Sequence, residues 1–185
     1  MEFIPTNIPD VILIKPKVFE DARGFFLETY RKSHYKEQGI NVDFVQDNMS
    51  ASQKGVVRGL HYQIRDQQAK LLMVPKGKIL DVAVDLRKGS PTFGEHVSAI
   101  LSGKNKHQLC IPTGFAHGYA VLEDNTLVSY KCSSYYNPDA ERGLFWNDPE
   151  LGIDWQVTDP IVSEKDQQQP KLSEISNQDL FEYTS

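Results

Sequence analysis

Cysteine, basic charge and long apolar runs are what this chain is short of, and each shortage removes a class of function. Its two cysteines, Cys110 and Cys132, have no second cysteine at metal-ligand spacing. Neither a zinc module nor a disulfide-stapled scaffold is expected, and although the two could face each other across paired strands, buried free thiols fit better. The formal net charge is −5, with 24% charged residues. Such a balance offers no basic face to a phosphate backbone, so nucleic acid is not an expected partner. The longest aliphatic run near the start, Val11-Ile-Leu-Ile14, is too short for a bilayer span or a signal-peptide core, and no basic segment precedes it. No membrane partner and a cytoplasmic location are therefore expected. What remains is a chain of 185 residues, 39% hydrophobic, enough for one well-filled core and hence a single domain over residues 1–185.

From Val11 to about Trp146 the sequence is a series of short apolar or alternating segments closed by turn residues, the pattern of an all-β sandwich or barrel. Strands are predicted at 11–15, 25–30, 44–48, 56–63, 70–75, 77–85, 95–101, 107–111, 118–123 and 126–135. Between them, Pro75-Lys-Gly77, Lys88-Gly-Ser-Pro91, Ser102-Gly-Lys-Asn105 and Glu123-Asp-Asn125 supply the backbone conformations that reversals need. Helix is the minor component. Residues 31–38 lack breakers and end at Gly39, and Ser163-Glu-Lys-Asp166 puts an acidic residue three places after a candidate N-cap. The tail after about residue 155 is expected to pack on the β-structure.

Two histidines stand out because both lie in apolar, strand-like sequence behind a glycine. His61 belongs to Gly55-Val-Val-Arg-Gly-Leu-His-Tyr-Gln63, with Arg58 and Lys70 near it in sequence, and cations in strands need a reason to face inward. His117, in Pro112-Thr-Gly-Phe-Ala-His-Gly118, suits a turn histidine bonded to backbone as well as a functional one. Tyr130 shares a strand face with Val128 and Cys132, where a core role is the default. Arg23 and Glu28 flank a glycine turn and read as a solvated charge pair. Gln46-Asp-Asn48 fits a strand end, and Lys165-Asp166 a helix cap. On residue types alone, the chain is an anion-binding barrel containing histidine and tyrosine.

The spacing Gly-(five residues)-His-x-Gln, followed by Pro-x-Gly-x-x-His, resembles the two halves of the cupin signature, whose histidines normally bind a metal. Where that signature has His-x-His, this chain has His61-Tyr62-Gln63, and a neutral amide is a poor ligand for a borderline metal. Seven runs taken in order resemble the dTDP-4-dehydrorhamnose 3,5-epimerase family. They are Asp21-x-Arg-Gly-Phe-Phe, Phe44-Val-Gln-Asp-Asn48, the His61 run, Lys78-Ile-Leu-Asp-Val-Ala-Val-Asp-Leu-Arg87, Ser90-Pro-Thr-Phe-Gly94, Ile111-Pro-x-Gly-Phe-Ala-His-Gly118 and Tyr130-Lys.

The resemblance implies a cupin-like double-stranded β-helix, a jelly-roll barrel with a few short helices. It implies a base at His61, an orienting carboxylate at Asp166, a proton donor at Tyr130 and an enolate-stabilising cation at Lys70. Nucleotide-sugar contacts are implied at Arg23, Glu28, Gln46, Asp47, Asn48, Arg58, His117, Glu141 and Lys165, and a homodimer in which N-terminal segments complete the partner's site. The implied substrate is dTDP-4-dehydro-6-deoxy-D-glucose. No cofactor is expected, because a ketone at C4 already acidifies the hydrogens on C3 and C5. Epimerisation at only one of these carbons, a metal-dependent cupin, and a non-catalytic sugar-nucleotide binder are the competing expectations.

Overall fold

A computed structural model describes residues 1–184. The first strands are β1 (Glu2–Pro5), β2 (Ile12–Lys15), β3 (Val18–Asp21) and β4 (Gly24–Leu27), followed by helix α1 (Lys32–Glu37). Next come β5 (Gln46–Ser52), β6 (Val56–Gln63), β7 (Lys70–Lys76), β8 (Lys78–Asp85), β9 (Arg87–Lys88), β10 (His96–Ser102), β11 (Gln108–Ile111), β12 (Phe115–Val121), β13 (Thr126–Cys132) and β14 (Glu141–Gly143). The chain closes with β15 (Ile161–Val162), helix α2 (Glu164–Gln167) and β16 (Phe181–Glu182).

Two sheets face each other as a jelly roll. The first runs β1-β2-β11-β7-β13-β5, and the second runs β10-β8-β12-β6-β14 with β15 added beside β6. Within both main sheets pairing is antiparallel except where β15 meets β6. Leu72, Val74 and Leu109 of the first sheet meet Ile79, Ala83 and Val121 of the second in one apolar core. A second cluster lies on the far side of the second sheet, where Leu80, Val82, Val84, Ala116 and Ala120 are covered by Leu151, Trp155, Leu172 and Phe181. Strands β8 and β12 are thus buried on both faces, which is why they read as largely apolar runs and not as alternation. On the outer face of the first sheet, Tyr35 of α1 covers Ile14, Leu71 and Cys110, and its hydroxyl donates to Gln108 Oε1 at 2.6 Å.

Several boundaries depart from expectation. The segment predicted at 25–30 is the second arm of a hairpin whose first arm, β3, carries no clean alternation; β3 and β4 pair only with each other. The strand predicted at 118–123 begins at Phe115, because Gly118 is an interior residue of β12 and not a turn. His117 therefore lies inside a strand. The segment expected at 44–48 is β5, displaced toward its C-terminal end, and the last long strand stops at Cys132. Both cysteines are buried and free, on β11 and β13, with β7 running between those strands.

Candidate active site

His61 and Arg58 are three residues apart on β6, a spacing that strict alternation would send to opposite faces. Both nevertheless line one cavity of about 530 Å³. The pairing with β12 explains this: His117 faces His61 and Tyr119 faces Arg58, so two residues of one strand span three of the other. The bulge turns both side chains to the same side. It forms where the two backbones nearly touch, since a Cβ at Gly59 would lie 2.5 Å from Gly118 Cα and one at Gly118 would lie 2.7 Å from the Arg58 carbonyl oxygen. Only glycine fits at either position.

The His61 ring is held from behind. Its Nε2 lies 2.6 Å from Asp166 Oδ1, while Asp166 Oδ2 accepts from the Gly59 N–H at 3.2 Å. Asp166 stands on α2, whose N-cap Ser163 accepts from the Asp166 N–H at 3.1 Å. Burial pushes the Asp166 carboxyl up, but hydrogen bonds and charge from His61, with the Gly59 N–H and Ser163, outweigh it and hold the group below its ordinary value. An ionised Asp166 accepts a hydrogen bond from the Nε2–H and leaves Nδ1 as the ring nitrogen available for proton chemistry. A second imidazole–carboxylate pair lies deeper: His117 Nε2 is 2.7 Å from Asp81 Oδ1, with both side chains buried. Burial lowers the His117 pKa despite Asp81.

Lys70 and Tyr130 come from the first sheet, facing His61 on the second. Lys70 forms no ion pair among the described residues. Burial lowers its pKa, with Cys132, Asp81 and Glu141 opposing. Burial also pushes the Tyr130 phenol up to about 12, so it stays protonated near neutrality. His61, Lys70 and Tyr130 line both the larger cavity and an adjoining one of about 250 Å³. At the rim, Glu141 Oε2 accepts from Lys165 Nζ at 2.5 Å and from the Tyr136 hydroxyl at 2.8 Å.

Of the residues expected here, Gln46, Asn48, Arg58, His61, Lys70, His117, Tyr130, Glu141, Lys165 and Asp166 line one cavity or the other. Asp47 does not. Alternation along β5 sends it to the outer face, where it pairs with Lys131 at 2.9 Å. Arg23 and Glu28 also lie outside both cavities, and they do not pair with each other: Arg23 binds Asp21, and Glu28 binds Arg31. At the cupin metal position the donor set is short, because Gln63 supplies a neutral amide that is committed to backbone, with Nε2 donating to the Asp66 carbonyl and Oε1 accepting from the Asn137 N–H. Among the described residues no group of three or more His, Cys, Asp or Glu could hold a metal ion.

With that geometry established, comparison with known proteins decides the family. A family model described as dTDP-4-dehydrorhamnose 3,5-epimerase matches residues 5–174. The chain belongs to that family. A dTDP-4-dehydrorhamnose 3,5-epimerase of Pseudomonas aeruginosa is 55% identical over 163 residues, covering 87% of this chain and 90% of its own. One from Neisseria gonorrhoeae is 54% identical over 167 residues and 90% of this chain, which spans only 51% of that longer protein. The crystal structure of a dTDP-6-deoxy-D-glucose-3,5-epimerase from Legionella pneumophila, in complex with dTDP-4-keto-L-rhamnose, superposes with a TM-score of 0.97 at 47% identity, covering 100% of this chain and 99% of that one. The jelly roll is thus the cupin-like fold of the epimerase family.

Two cavity residues, Tyr119 and Tyr136, and the buried Asp81 behind His117 were not singled out from the sequence. Asp81 had a usable signal, a carboxylate inside the otherwise apolar run of β8, which is tolerated in a core only with a partner. Tyr119 is buried and hydrogen-bonds Ser50 at 2.8 Å. Tyr136 lies in a loop, where spacing gives no direction.

Proposed function

We propose that the protein converts dTDP-4-dehydro-6-deoxy-D-glucose to dTDP-4-dehydro-L-rhamnose by inverting C3 and C5 without a cofactor. The observation that carries this is the placement of the His61–Asp166 pair and Tyr130 on facing sheets, with the unpaired cation of Lys70 in the same cavity. A sugar ring between the sheets has the base on one face and the phenol on the other. His61 Nδ1 takes the C–H proton next to the ketone; Asp166 stabilises the imidazolium that forms. The electron pair moves onto the C4 oxygen, where Lys70 stabilises the enolate. Tyr130 then gives its proton to the opposite face, the ketone is restored, and both groups exchange protons with water before the second carbon reacts.

The nucleotide end falls to Gln46, Asn48, Arg58, Glu141 and Lys165. Arginine forks suit diphosphate oxygens. Arg23 and Glu28 reach a site only through a second copy of the chain, and the hairpin that carries Arg23 has Phe19, Phe25 and Phe26 at 53%, 57% and 70% exposure. An apolar arm of this kind suits a homodimer in which each hairpin completes the partner's site. A cytoplasmic location belongs to the same proposal, because activated nucleotide sugars are built from intracellular nucleoside triphosphates. NMR of the substrate with enzyme in heavy water tests the reaction: deuterium at both C3 and C5 with inversion at both is expected. Inversion at one carbon only would assign a monoepimerase, and no exchange would remove the enzymatic role.

A further inference from the structure

Gln63 occupies the position where the cupin signature carries a second ligand, and its amide is fully engaged elsewhere. It is 5% exposed, and a buried amide is costly unless its donors and acceptor are met. Nε2 donates to the Asp66 carbonyl at 2.7 Å and, more weakly, to the Tyr135 carbonyl at 3.4 Å; Oε1 accepts from the Asn137 N–H at 2.9 Å. One side chain thus ties the loop after β6 to the loop after β13. Asn137 repeats the connection by donating to Asp66 Oδ2 at 2.7 Å. These partners dictate an amide. A carboxylate would set an oxygen against two carbonyls, and an imidazole lacks the second donor.

Two further glutamines hold the same loop by its backbone. Gln68 Nε2 donates to the Ser134 carbonyl at 2.9 Å, and Gln46 Oε1 accepts from the Tyr136 N–H at 2.9 Å. The held residue, Tyr136, lines the smaller cavity and donates its hydroxyl to Glu141, the carboxylate that also takes Lys165. The base, His61, sits two residues from Gln63 on β6 but is oriented independently by Asp166. The clamp therefore bears on the rim and not on the reacting nitrogen.

We infer that Gln63 is a positioning residue for substrate binding: it fixes the Tyr135–Asn137 loop and, through Tyr136 and Glu141, the rim that receives the nucleotide end of the substrate. This rests on the function proposed above. Gln63→Met keeps the length and volume without the hydrogen bonds, and Gln63→Glu keeps the shape while reversing the donor.

For both variants the KM for dTDP-4-dehydro-6-deoxy-D-glucose and the Kd for dTDP, measured by calorimetry, should rise roughly tenfold, about what one buried hydrogen bond is worth, with kcat within about twofold of the parent. Amide hydrogen exchange at Tyr136 and Asn137 should quicken. Unchanged KM and Kd in variants of a working epimerase would overturn the clamp and leave the function standing. So would a fall in kcat at constant KM, which places Gln63 in the chemistry. A parent that binds dTDP but does not epimerise refutes the function, and the clamp then stands or falls on the dTDP Kd of the variants. A parent that does neither refutes both.

Discussion

At the scale of single residues, the proposed base His61 and donor Tyr130 come from different sheets, so each can be removed without the other. His61→Asn leaves no group to accept the carbon-bound proton, and exchange and inversion should both fall by roughly 10²–10⁴. Tyr130→Phe should separate them. His61 still forms the enolate and returns a solvent-derived proton to the face it came from, so deuterium enters C3 or C5 while inversion falls steeply. Parallel loss of both rates in the phenylalanine variant would make Tyr130 the base, and normal inversion would make it a packing residue. Lys70 carries the pH prediction. Its cation is present below its own pKa and lost as pH rises through it, and burial has lowered that value from 10.5. The alkaline limb of kcat/KM, which reports the free enzyme, should therefore fall below the ordinary lysine range. Tyr130, at about 12, titrates too high to cause it. Stability moves the other way: unfolded lysine keeps its proton to higher pH, unfolding takes up a proton in that window, and the Lys70 contribution rises with pH.

At the scale of elements, helix α2 has one turn and one task, to present Asp166 to His61. Its Ser163 cap is the only side-chain cap it has. Ser163→Ala should lower stability by about 1 kcal/mol, and epimerisation should slow at 25 °C where the protein is still folded, because Asp166 loses its fixed approach. Circular dichroism and turnover on the same sample check this; unchanged turnover would mean that the Gly59 N–H alone orients the carboxylate. This helix was legible in the sequence because capping is local chemistry, a serine three residues before an aspartate. The β6–β12 bulge was not. It arises from the contact of Gly59 with Gly118, residues far apart in the chain, and without it Arg58 and His61 read as opposite faces. Strand alternation puts Asp47 outside the cavity, whereas the family resemblance grouped it with its neighbours Gln46 and Asn48. The fully buried β8 and β12 were legible as strands through their apolar runs, whereas the ends of β12 were obscured by a glycine whose reason is packing.

At the scale of the whole molecule, the least self-sufficient part is the β3–β4 hairpin. It pairs with neither main sheet, exposes three phenylalanines and carries Arg23 at 90% side-chain exposure. If the hairpin serves its own chain, an Arg23→Ala defect and a His61→Asn defect stay in separate sites however chains are mixed. If it completes the partner's site, one heterodimer made of an Arg23→Ala chain and a His61→Asn chain contains one site with both wild-type residues and one with neither. Co-expressing the two chains with different tags, purifying the mixed dimer through both, and comparing its turnover with each homodimer should then recover about half of the parent activity per dimer, as expected for two independent symmetry-related sites. Sedimentation at assay concentration runs alongside. A monomeric species with full activity, or a mixed dimer no better than its parents, would return Arg23 to the solvent-exposed pairing with Asp21 that the single chain displays.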